Sequence, residues 1–439
     1  MENLDIKKTE EIIPSQTPNT DEKLGDTSLE LVNLSEFIEP PEPPTMESFH
    51  HNGDDLAYDK ERIKDLEGKI ENRRYKRAQE RLEKRGEGDS EDHLDKILAE
   101  EAAEEQLVSE LFEEILADGI IEDRWINYSG KGKEMFNIRE LASVNKADDY
   151  RNRIDVPFCF EFPETADKPA ERLFIGFDAT ISVDGKVLYD KLTRSTNVSK
   201  EFKRDKNLPF GFSTMRYTYD PSNGMLLPAD EAIRYTVCAN KQLLNQMQKL
   251  HNDPRPLAEK FQTIGYQEVR FKVLSEIHEQ NELFKAMNAD NKKALEKISK
   301  IDTAIYRTIK NNIKHLLTFS SEKSPFLDLK PELNMLNDFS QQLSELPKGS
   351  EERKAIVAQR NELYDKLYKE ISKRYSGANI GAKDISYGAM VRRTQELIDA
   401  ALNTTALDKY KPMQPRNIPF DPNGNTIEME EWYGKTDYK

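Results

Sequence analysis

The stretch from Leu173 to Val183, LFIGFDATISV, alternates without a break. Leu173, Ile175, Phe177, Ala179, Ile181 and Val183 fall on one face of a strand, and Phe174, Gly176, Asp178, Thr180 and Ser182 on the other, because successive side chains of extended backbone point to opposite faces. Just ahead lies a second alternating run, Ile154, Val156, Phe158, Phe160 and Phe162, whose opposite face carries Asp155, Cys159 and Glu161. The connection from Pro163 to Arg172 is of a length that suits a hairpin, so the pattern predicts adjacent antiparallel strands with Asp155 and Asp178 on the same side.

Composition limits what surrounds this pair. The chain has 439 residues, 33% of them charged, with a net charge of -16 and a mean hydropathy of -0.80. That is too polar for one uniform body, and it implies exposed helices or disordered segments beside a smaller core. The acidic balance opposes non-specific adhesion to nucleic acid or to an anionic membrane, so any polyanion must meet a local basic patch. The only cysteines, Cys159 and Cys238, sit in apolar runs and read as buried free thiols. No apolar run approaches the roughly 18 residues of a membrane span, and MENLDIKKTEE lacks the features of a signal peptide. The expectation is a soluble, cytoplasmic protein with no membrane partner.

Residues 1–54 are acidic, rich in Ser, Thr and Pro, and read as a disordered tail. Residues 55–89 read as a charged helix, at most a short coiled coil, since Arg73 and Arg77 fall where the seam of Ile63, Leu66 and Ile70 should continue. Gly86 and Gly88 break the pattern. A helix then carries the stripe Leu94, Ile97, Leu98, Val108, Leu111, Phe112, Ile115 and Leu116, with Glu101 and Glu104 inside it, facing inward or reaching solvent at the rim. A short strand at 124–128, the two alternating strands, a helix from Lys186 to Arg194, strands near 210–219 and 232–238, and helices near 241–250 and 266–287 follow. The order gives an α+β core over residues 90–288, a small mixed or antiparallel sheet flanked by helices. Residues 289–410 read as helical, with the stripe Leu295, Ile298, Ile301, Ile305, Ile309, Ile313 and Leu316 and later helices at 350–375 and 385–407. The Pro-containing segment 411–439 reads as an extended tail.

IDVPFCFEF followed by LFIGFDATIS resembles the PD-(D/E)XK nuclease superfamily, in element order and in its two acids. The resemblance implies a nuclease-like core over residues 90–288 in which Asp155 and Asp178 bind Mg²⁺, joined by Glu101 or Glu104 from the preceding helix. It also exposes a departure: Thr180 stands where the family has a lysine. Some members take that lysine from the following helix, which makes Lys191 the first candidate and Lys186 the second. From Lys186 to Asn207 seven basic residues face three acidic ones. The segment 186–206 could therefore hold a phosphate backbone, or merely balance the acidic helix before it. The histidines form no HExxH or Cys/His spacing, and no GxGxxG, P-loop or GxSxG occurs. Two readings stand: a Mg²⁺-dependent nuclease with Asp155, Asp178 and Lys191 as its catalytic set, or a non-catalytic scaffold whose helices bind protein partners.

Overall fold

In the computed structural model the alternating runs become the middle of a sheet. The described residues are 41–49, 53–85, 91–123, 125–126, 136–144, 154–164, 169–181, 191–192, 208–239, 241–319, 326–376 and 385–403. Two long helices, α1 (Gly53–Arg85) and α2 (Glu91–Ile121), lead into β1 (Asn137–Glu140), β2 (Ala142–Ser143), β3 (Val156–Phe162) and β4 (Glu171–Thr180). Then come β5 (Phe212–Met215), β6 (Thr218–Asp220), β7 (Met225–Leu226) and β8 (Ala229–Cys238). Helices complete the chain: α3 (Lys241–His251), the single turn α4 (Leu257–Lys260), α5 (Ile264–Met287), α6 (Lys292–Thr318), α7 (Lys330–Glu345), α8 (Glu351–Ser376) and α9 (Ile385–Leu402).

The main sheet has the order β1-β3-β4-β8-β5, and β2, β6 and β7 form a small second sheet. β3 and β4 pair antiparallel as the alternation requires, with Val156 opposite Phe177 and Phe160 opposite Leu173. β4 and β8 run parallel, Gly176 opposite Arg234 and Asp178 opposite Thr236. With β4 and β8 parallel and its other pairs antiparallel, the five-stranded sheet is mixed, and with the helices around it the fold is α+β.

Alternation also decides the core. Phe158, Phe160, Leu173, Ile175, Phe177, Ile233, Tyr235 and Val237 pack with Phe112, Ile115 and Leu116 of α2 and with Leu274 and Ile277 of α5. Each such apolar side chain contributes about 1.5–3 kcal/mol on burial. The other face is covered too, by a smaller cluster that includes Leu141, Cys159, Met215, Ala232 and also Ile154, which the alternation put on the face of Val156 but which precedes the strand and packs on this side. Both cysteines are free and buried, and burial pushes the Cys159 thiol up to about 11. Ile181 departs from the expected pattern: the strand ends at Thr180 and Ile181 is 49% exposed.

α5 is the helix on which the rest is assembled. Thr263 caps it, its hydroxyl accepting from Tyr266 N at 3.3 Å. Most of its length is buried, including Gln267, Arg270, Glu276 and Gln280. Buried polar side chains need partners, and several find them on β8. β5 pairs with β8 only as far as Ile233, so the edge beyond it is left to side chains. Thr236 N donates to Gln280 Oε1 at 2.8 Å, Gln280 Nε2 donates to Thr236 O at 2.7 Å, and Cys238 N donates to Glu276 Oε2 at 2.9 Å. The helix thereby satisfies an open strand edge that would otherwise template foreign pairing.

The stripe of α6 is buried from Ile298 to Leu316 and joins the same core, while α1 meets α2 through Ala78, Leu82 and Ile97. The described residues belong to one compact unit, Pro41–Lys439. One further expectation differs. Trp125 and Ile126 form no strand; they are buried in a bend, and Trp125 O accepts from Arg270 Nε at 3.0 Å. Large apolar residues anchor a loop there as readily as they fill a strand. α7 lies within the stretch 289–410 read as helical, and Pro331 sits in its first turn, where proline is well tolerated. The tails 1–40 and 404–439 lie outside the described residues.

Candidate functional site at the end of the central strands

Asp178 is the third residue from the end of β4, at the carboxyl end of the parallel pair with β8, where open α/β sheets commonly hold ligands. It is 2% exposed, and a carboxylate so placed must be compensated. Two cations do so. Lys191 Nζ lies 2.5 Å from Oδ1, and Arg234 Nη1 lies 3.4 Å from Oδ2. Arg234 is itself buried, and its Nη2 donates to the main-chain oxygen of Lys191 at 2.5 Å. One guanidinium therefore holds both the carboxylate and the backbone of the residue that pairs with it.

Asp155 sits just before β3, and its carboxylate is turned onto the adjoining strand: Oδ2 accepts from Ala179 N at 2.7 Å, and Asp155 N donates to Phe177 O at 2.8 Å. β3 begins only at the next residue, so the side chain takes over for a missing rung and caps the amide of the residue after Asp178. The closeness of the chains here also explains Gly176, where a Cβ would stand 2.6 Å from Ile154 Cγ1. Thr180 closes the strand, its main-chain oxygen accepting from Ala239 N at 2.9 Å.

Lys191, thirteen residues after the buried acid, meets Asp178 directly, whereas the Asp155 carboxylate is held by the Ala179 amide on the same strand as Asp178. Glu101 and Glu104 belong to α2, but their side chains lie outside the described residues, as do Lys186 and, apart from Lys191 and Leu192, the basic segment 186–206. Sequence reasoning missed Arg234. Its signal was present, an arginine standing alone within the apolar run of β8, AIRYTVC.

The other acid of β3 is differently engaged. Glu161 accepts from Arg139 Nε at 2.8 Å and from Arg172 Nε at 3.0 Å, and Arg139 Nη1 reaches Asp220 at 2.8 Å. Burial would raise the Asp220 carboxyl, but hydrogen bonds from Ser222 and Arg139 hold it below the ordinary value. This network ties β1, β3, β4 and β6 together and offers no converging donor set. Among the described residues, no helix is long and apolar enough to cross a membrane. No protein-family model, curated protein or solved structure matches the chain.

Proposed function

We propose that this protein is a Mg²⁺-dependent nuclease, or a nucleic-acid-processing relative, of the PD-(D/E)XK type, acting at Asp155, Asp178 and Lys191. The observation that carries the reading is the 2.5 Å approach of the Lys191 ammonium to the buried Asp178 carboxylate at the mouth of the parallel strand pair. A lysine from the segment after β4 supplies the charge that Thr180 lacks. The donor chemistry fits a hard cation, since the two acids offer only oxygens. Asp155 and Asp178 would hold the ion, Lys191 giving up Oδ1 to it. Mg²⁺, when bound, polarises a phosphoryl oxygen as a Lewis acid. Lys191 would then face the scissile phosphate and stabilise the negative charge that develops on it, an interaction stronger in the transition state than in the ground state. Arg234 would keep Lys191 in place through its main-chain oxygen.

The test is cleavage of single- and double-stranded DNA and RNA by the full chain with Mg²⁺ or Mn²⁺. Lys191→Met should lower turnover by about 10²–10³ while nucleic-acid binding changes little. Absence of any metal-dependent cleavage by the wild type, or a variant as active as the wild type, removes this reading. One observation favours the second reading, a non-catalytic scaffold: both carboxylates are already engaged, Asp178 by two cations and Asp155 by a backbone amide. On that reading the cluster is a polar clamp at the sheet's end, and the long helices bind protein partners.

A further inference from the structure

A second polar cluster lies between α5 and α6, on helices that the first site does not use. His278 and Glu282 are four residues apart on α5 and so share a helix face. Asp302 comes from the neighbouring α6. One donor atom from each lies within 4.8 Å of the other two. His278 Nδ1 is 2.7 Å from Asp302 Oδ1, a spacing at which a shared cation can replace the shared proton.

The cluster is held in place from several sides. Tyr306, one turn beyond Asp302, stacks on the His278 ring with centroids 4.9 Å apart and planes at 17°, and Tyr368 meets the same ring edge-on. Asn281 Nδ2 donates to Asp302 Oδ1 at 3.2 Å, and Asn281 is itself fixed by the buried Tyr235 hydroxyl at 2.6 Å. Fixed orienting partners of this kind are what metal ligands require of their surroundings. His278 and Asp302 form a nearly buried floor, whereas the side chains of Glu282 and Lys285 are 44% and 29% exposed and form an entrance. The two carboxylates already share a cation. Lys285 Nζ lies 2.7 Å from Glu282 Oε1 and also bonds Asp302 Oδ2. Its flexible stem lets it retreat to solvent.

We propose that His278, Glu282 and Asp302 bind a divalent first-row transition metal, with Lys285 as the competing cation that holds the site when metal is absent. One imidazole and two carboxylates form a mixed nitrogen and oxygen set that suits Zn²⁺ better than Mg²⁺, which prefers oxygen ligands and keeps its waters. The proposal is independent of nuclease activity.

Titration calorimetry with Zn²⁺ on the full-length wild type, E282Q, H278Q and K285M tests it. One equivalent should bind the wild type, about tenfold or more weakly to E282Q and to H278Q, and more tightly to K285M, where the competitor is gone. Glu282 is exposed enough that E282Q should fold normally, and circular dichroism checks this. Absence of stoichiometric binding in both the wild type and K285M overturns the proposal and leaves a closed ion-pair network. Binding that E282Q and H278Q leave unchanged also overturns it, by assigning the metal to the other histidines.

Discussion

Arg234→Met probes the clamp at the strand ends, because it keeps an unbranched stem and removes only the guanidinium. In the native protein Arg234 and Asp178 are 4% and 2% exposed, with Nη1 3.4 Å from Oδ2. At that separation and an effective dielectric near 20 their attraction is about 5 kcal/mol before desolvation is subtracted. Lys191 remains in the variant, but it is the more exposed partner and reaches the other oxygen. The variant also leaves the Lys191 main-chain oxygen without the guanidinium. Removing one member of a buried ion pair typically costs about 3–5 kcal/mol, a large part of the roughly 5–15 kcal/mol that holds a domain together. Asp178→Asn should be similarly costly, since it leaves Arg234 buried beside a neutral amide. The double variant should cost less than the two singles together, by about 1–3 kcal/mol, because each single strands the other's charge. Urea denaturation, read as a shift in midpoint at constant slope, measures all three. An Arg234→Met variant within about 1 kcal/mol of the wild type, or strictly additive singles, would refute the claim that these residues compensate one another.

Two more outcomes follow from the same reasoning. Burial pushes the His278 imidazolium down, but its hydrogen bond to Asp302 and that residue's charge outweigh burial and raise it above the ordinary value; conversely, Asp302, which burial alone would raise, is held low by His278 and Lys285. A raised histidine stabilises fully below its unfolded value of about 6.5 and loses that contribution as pH rises through the folded value, whereas the depressed Asp302 stabilises above about 3.9 and loses its contribution as pH falls through its folded value. The thermal midpoint difference between the wild type and His278→Gln should therefore shrink as pH rises from about 6 to 9, and a difference that grows would reverse the sign assigned here. At the sheet edge, Gln280→Met strips Thr236 of partners for both its N–H and its carbonyl, so it should cost about 2–5 kcal/mol. Hydrogen exchange at the Thr236 amide should quicken, and unchanged protection would mean that the glutamine is not what closes the edge.

The sequence by itself determined the β3–β4 hairpin, the amphipathic helices and the α+β class, because these depend on periodicities of two and 3.6 that survive without any knowledge of neighbours. Leu173, Ile175 and Phe177 went inward for that reason, and so did the isoleucines of α6. Asp155 and Asp178 were legible as acids on paired strands, and Lys191 as a nearby cation. What the pattern could not carry was which charge meets which. Arg234 reaches Asp178 only because β8 inserts beside β4 in parallel, a pairing across more than fifty residues of sequence that no local periodicity encodes. The meeting of His278 with Asp302 likewise depends on how two helices are rotated against each other, and in sequence His278 was an unremarkable histidine near an apolar stripe. No periodicity marks Glu276 and Gln280 of α5 for burial, yet they are buried because β5 stops short and β8 needs partners for its backbone. Tertiary packing decided these matches, since a buried charge or amide takes its partner from whatever the fold brings within about 3 Å, not from its neighbours along the chain.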